Sequence, residues 1–194
     1  MSTRRVARKL PPMSKRPRGP NGHLLCWWCK TEVTPPRRSW CSDECVHEWQ
    51  IRSNVGYMRS CVFGRDSGIC KSCGIDTVKR QQDARLELRA AFEAAGNPRV
   101  WSPKGYEIAK RLGEQWKQDG WPATVERDWW EAEHLVPVCR GGGECGLEGI
   151  ATLCVPCHKR STAKLAAERA AERKNHEIKP AKPPGSSDPF VGGR

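Results

Sequence analysis

No stretch of this 194-residue chain approaches the roughly 20 apolar residues that a membrane span needs, so no membrane partner is expected. Its opening, MSTRRVARKLPPMSKRPRGPNG, has no apolar run of the secretory kind, and a reducing, cytoplasmic setting is expected. Acid is absent from residues 1–22, which carry seven Lys or Arg and five prolines or glycines before Asn21. Such a segment buries too little apolar surface to fold alone and is expected to be a disordered basic arm. Apolar residues are scarce throughout: 37% hydrophobic content and a mean hydropathy of −0.72 are lean for a large core. Internal repeats of the solenoid type are also missing.

What the chain does have is cysteine and positive charge. Eleven cysteines fall mostly in paired CxxC-like clusters, which suit thiolate zinc better than disulfides. Cys26, Cys29, Cys41 and Cys45 read C-x2-C-x11-C-x3-C, with a knuckle supplying two thiolates and a helix start supplying two more. Cys70, Cys73, Cys154 and Cys157 form two further CxxC knuckles, each too small to hold zinc alone and together a second four-thiolate site. No βαβ pattern surrounds CKSC or CVPC, which argues against a thioredoxin-like redox motif. Cys61, Cys139 and Cys145 are read as ordinary thiols, His47 as a surface or packing residue, and Trp27, Trp28, Trp40 and Trp49 as packing around the first knuckles. A net charge of +12 and a pI near 9.4 favour a polyanionic partner, because each phosphate neutralised by Lys or Arg releases counterions.

Local signals divide the chain further. Ser42 caps a helix with Asp43 and Glu44 in its first turn. A helix is expected over 76–95, with Asp76 as cap and Leu88, Phe92 and Ala95 on one stripe. A second is expected from Ser102-Pro103 to Asp119-Gly120, with Ile108, Leu112 and Trp116 repeating every four residues. Beyond them come strand, glycine-rich turn, short strand and a long helix from near Pro156 to about Asn175. The expected architecture is therefore a small zinc-stabilised α+β protein. It has a disordered arm (1–22), a four-cysteine module (23–55), a ββα domain (56–175) with a helical insertion at about 75–128, and a disordered tail (176–194).

The segments EAEHLVPV, GGGECGLEGIATLC and CVPCHKRSTAKL together resemble the HNH nucleases of the ββα-metal class. The likeness extends through RSCVFGRDSGICKSCG and into CWWCKTEV and WCSDECVHEW, over about residues 26–165. Within the family the chain looks most like phage and bacterial proteins with an extra zinc knuckle, and like the HNH domain appended to eukaryotic annealing helicases. The resemblance implies a metal-dependent endonuclease acting on DNA, most simply double-stranded, in a bacterial or phage-infected cytoplasm or a eukaryotic nucleus. The rival reading is a catalytically weakened zinc adaptor that binds DNA or RNA.

It also implies roles for residues. His134 is the expected general base, since imidazole titrates near neutral pH. Glu133 stands where the family commonly has a metal-ligating Asp, and a hard carboxylate suits Mg2+ or Mn2+. Adjacent strand residues point to opposite faces, so Glu133 and His134 share a site only where the strand ends, twists or bulges. His158 is the expected second ligand, because one helical step of about 100° lets Cys157 face zinc while His158 faces a cleft. Lys159, Arg160 and Lys164 follow on the same helix and are expected to meet phosphate. One departure concerns the central Asn of the family's L-x-N-L segment, whose place Gly149 takes in Leu147-Glu148-Gly149-Ile150. Glycine offers backbone groups or an unusual φ there but no side-chain amide.

Overall fold

The computed structural model describes residues 13–178, so residues 1–12 of the arm and 179–194 of the tail lie outside the described residues. Helix α1 (Asp43–Ser53) starts where Ser42, in extended conformation, accepts the Cys45 amide on its hydroxyl at 3.3 Å. Asn54 ends α1 and caps α2 (Val55–Asp66) by accepting the Tyr57 amide. Helix α3 (Thr77–Ala94) is capped by Asp76 on the Lys79 amide, and α4 (Pro103–Gln118) by Ser102 on the Gly105 amide, with Pro103 in the first turn. Gly96 and Gly120, each just past a helix end, take φ of 80° and 86°, a region open to glycine at no steric cost.

Strand β1 (Trp130–His134) pairs antiparallel with β2 (Ile150–Cys154), Trp130 opposite Cys154 and His134 opposite Ile150. Helix α5 (Val155–Ile178) follows β2 directly, giving the expected ββα order in a mixed α+β fold. The loop between the strands makes three single 3-10 turns, Val138–Arg140, Gly142–Glu144 and Leu147–Gly149. A Cβ on Gly142 would run into the Val136 carbonyl, so this close backbone approach admits only glycine.

Three small cores replace one large one. Cys26, Val33 and Cys45 form the first, flanked by Trp40 and Cys41. Ile51, Met58 and Val62 of α1 and α2 meet Trp130 and Ile150 in the second. The third joins Cys70, Cys154 and Cys157 to Ala84, Trp116, Trp121, Val125 and Trp129. The helical insertion therefore shares a core with the second cysteine cluster, and Trp129, stacked on Trp121 at 5.2 Å, is fully buried there.

Two features depart from the sequence reading. Residues 13–22 are folded against the first module: Arg16 is 6% exposed, and its guanidinium donates to the Ser39 hydroxyl at 2.9 Å and the Ser39 carbonyl at 3.2 Å. Asn21 donates its amide and side-chain N–H to the Glu32 carboxylate, and Arg18 bridges to Leu24. Polar bonding, invisible to a count of apolar residues, holds this segment, so the module begins well before residue 23. Helix α2 was also not anticipated. Its Gly56, Gly64, Val55 and Val62 give poor intrinsic propensity, and burial of Met58 and Val62 in the second core overrides it.

By compactness the chain divides at His158 and Lys159, the second unit comprising, among the described residues, the remainder of α5. No helix among the described residues is long and apolar enough to cross a membrane.

Candidate functional site

Two four-cysteine clusters form as the spacing predicts, the ligand atoms of each lying within 4.8 Å of one another. In the first, a knuckle turn presents Cys26 and Cys29, the Lys30 amide returning to the Cys26 carbonyl at 3.1 Å. Cys41 precedes α1 and Cys45 sits in its first turn. In the second, the Gly74 amide closes the Cys70–Cys73 knuckle at 2.8 Å, and the Lys71 amide donates to the Thr152 carbonyl at 2.9 Å, tying the knuckle to β2. Cys154 ends β2 and Cys157 lies in the first turn of α5. Sulfur separations of 3.4 Å for Cys29–Cys41 and Cys41–Cys45 and 3.7 Å for Cys73–Cys154 approach the edge of about 3.8 Å for a tetrahedron of 2.3 Å Zn–S bonds.

The thiol electrostatics fit the same ion. The Thr31 hydroxyl and amide hold Cys29 down to about 6, whereas burial pushes Cys45 up to about 12. Burial opposes ionisation of Cys70, but backbone N–H groups of Cys154, Cys73 and Ser72 outweigh it and hold the thiol at about 7. Burial pushes Cys154 up. A divalent cation shared by crowded sulfurs would favour their thiolate forms. Both clusters can hold zinc.

The third constellation lies at the hairpin end. Glu133 Oε2 and His158 Nε2 approach to 3.0 Å, with side chains 23% and 35% exposed. Cys157 is buried at 4% exposure while His158, one step on, opens to solvent, as the helical rotation requires. The 3.0 Å separation matches both a hydrogen bond and the cis edge of an octahedron of oxygen and nitrogen ligands at about 2.1 Å. A carboxylate and an imidazole are a donor set that a hard divalent cation accepts, water or phosphate oxygens completing the shell. His134 is the last residue of β1, half-exposed, so it meets the strand-end condition for sharing a site with Glu133. Lys159, Arg160 and Lys164 are exposed on α5, in the second unit.

Gly149 does not use a glycine-only conformation, for it is not among the residues with positive φ. Of the two roles open to a glycine there, it supplies backbone: its carbonyl accepts the Leu135 amide at 2.8 Å, directly after His134. A Cβ at this position would stand 2.5 Å from Cys145 Cβ and 2.7 Å from Cys145 Sγ. Cys145, half-buried against the second core, fills the space where a side chain would start.

Sequence reasoning missed the residues of α2 that bind the hairpin. Arg65 donates to the Leu147 and Ile150 carbonyls, each at 2.7 Å, and pairs with Asp66. Asp66 accepts the Thr152 amide at 3.0 Å. Arg59 pairs with Glu131 and Asp128 at 2.9 Å and lies 4.3 Å from the Trp130 ring centroid. Only the adjacent opposite charges in GRDSG mark this feature in the sequence.

A hairpin and helix joined by a four-cysteine cluster that can hold zinc, with a carboxylate and an imidazole 3.0 Å apart beside it, has the build of a ββα-metal domain. The chain belongs to the HNH family. It is 35% identical over 153 residues to the mouse (Mus musculus) DNA annealing helicase and endonuclease ZRANB3, a match covering 75% of this chain and 13% of that protein. It is 32% identical over 151 residues to the human (Homo sapiens) counterpart, with the same coverages. The chain thus spans 13% of the length of these relatives. The crystal structure of the human ZRANB3 HNH domain is 30% identical and covers 63% of this chain and 97% of its own, with a TM-score of 0.40. The kinship rests on sequence identity. No family model matches the chain.

Proposed function

We propose that this protein is a divalent-metal-dependent endonuclease that hydrolyses phosphodiester bonds of DNA, with His134 as general base and Glu133 and His158 as ligands of the catalytic cation. The Glu133–His158 approach of 3.0 Å at the end of the hairpin carries this reading, because nothing in a purely structural zinc domain needs a carboxylate and an imidazole together on a half-exposed edge. A bound Mg2+ or Mn2+ would supply charge stabilisation at the phosphoryl and leaving oxygens. His134 takes a proton from the attacking water onto an imidazole nitrogen as the new P–O bond forms; the P–O bond to the leaving oxygen breaks, and solvent protonates that oxygen. Glu133 and His158 hold their side chains toward one point, and Lys159, Arg160 and Lys164 contribute positive charge to phosphate contact. The net charge of +12 favours DNA over neutral substrates.

The rival is a zinc adaptor that binds nucleic acid without cleaving it, favoured by Gly149 where the family has Asn. Supercoiled plasmid separates the two. The zinc-loaded protein should nick or linearise plasmid when Mg2+ or Mn2+ is added and do nothing without added cation. Inactivity with Mg2+, Mn2+, Ni2+ and Zn2+ on duplex, nicked and branched DNA, with binding retained, would establish the adaptor.

A further inference from the structure

We propose that Arg65 is a positioning residue that holds the His134 end of the hairpin. This deepens the nuclease reading and rests on it. Arg65 reaches the hairpin from the last turn of α2, and its Nη1 and Nη2 donate to the Leu147 and Ile150 carbonyls at 2.7 Å each. These carbonyls lie on either side of Gly149, whose own carbonyl accepts the Leu135 amide. Ile150 is the ladder partner of His134. One guanidinium thus grips the chain on both sides of the peptide that fixes the residue after the base.

The fork is itself fixed. Asp66 accepts from Arg65 Nε at 2.6 Å and Nη2 at 2.9 Å, and its Oδ2 also takes the Thr152 amide at 3.0 Å. The pair therefore ties β2 at Thr152 and the loop at Leu147 and Ile150 to one helix end. Inside the loop no side chain can do this from position 149, because Cys145 occupies the space. Arginine is needed for its geometry: a planar group with five donors can meet two carbonyls and a carboxylate at once, whereas an ammonium is a single point charge.

The test compares full-length, zinc-loaded wild type with Arg65→Lys and Arg65→Ala. Arg65→Lys keeps the charge beside Asp66, so it should retain both zinc ions even if Arg65→Ala does not. With Arg65→Lys, kcat should fall on the order of 10- to 100-fold with KM for DNA unchanged, as expected when a base is misplaced but binding is not. The His134 ring signals in a nitrogen–proton NMR spectrum should shift or broaden, and the Leu135 amide should exchange faster. Unchanged kcat with unchanged His134 signals would overturn the proposal, as would a loss of zinc in both variants that accounts for the whole effect. If the wild type cleaves no DNA, the nuclease reading fails on its own, and the His134 signals and Leu135 exchange still decide the role of Arg65.

Discussion

Glu133 and His158 come from different elements, one on β1 and one on the first turn of α5, and their meeting depends on where Cys154 and Cys157 anchor the strand–helix junction. Their types and spacing were legible in the sequence; that the two approach to 3.0 Å was not, since no residue count measures the twist at a strand end. If His158 is a ligand, as proposed, His158→Ala should weaken metal activation as well as lower the rate, and higher Mn2+ should restore part of it. A metal titration of cleavage reads both effects. Gly149 carries a second prediction at this scale. Because Cys145 stands 2.5 to 2.7 Å from the site of a new Cβ, Gly149→Asn alone should cost about 1–3 kcal/mol through overpacking. Adding Cys145→Ala should recover most of that loss in denaturant unfolding. A single Gly149→Asn variant as stable as wild type would show that the loop yields freely.

Among the elements, the capped helices were the most legible. Ser42, Asp76 and Ser102 each cap the helix they were expected to start, because capping is local chemistry. Helix α2 was illegible for the opposite reason: it forms through contacts with β1 and β2, far along the chain, and its own residues are mediocre helix formers. Its end also carries a measurable electrostatic contribution. The Arg65 guanidinium holds the Asp66 carboxyl down to about 2, with the Thr152 amide helping. A depressed carboxylate pKa stabilises the fold above the unfolded value, about 3.9, and that stability is lost as pH falls from there toward 2. Asp66→Asn should therefore destabilise by about 1–3 kcal/mol at pH 7 through loss of charge-assisted bonds. The gap between variant and wild type in chemical denaturation should narrow below about pH 4. A gap that stayed constant through that range would assign the effect to something other than the charge.

At the scale of the whole molecule, cysteine clusters that can hold metal stand where apolar mass is short. Three small cores, two of them built around cysteine clusters, follow from a chain with little to bury; the two clusters were legible from composition and spacing, whereas the second core, which needs α2, was not. Two zinc ions per chain should survive dialysis, and metal analysis checks this. Cys41→Ser should melt only the N-terminal module, whereas Cys157→Ser should also release Trp116, Trp121 and Trp129 from their core, seen as a change in tryptophan emission. The basic N-terminus divides in two. Arg16 is part of the folded module, so deleting residues 1–22 should destabilise it, while deleting residues 1–12 removes four positive charges and should lower the salt slope of DNA binding by up to about 3–4. The central claim is that this zinc-built frame holds a reactive base at the hairpin end, and a side-by-side assay of zinc-loaded wild type and His134→Ala tests it most directly. With Mg2+ and supercoiled plasmid, the wild type should cut while His134→Ala binds DNA with the same affinity, retains both zinc ions and leaves the plasmid intact; equal cleavage by the two proteins would contradict the account.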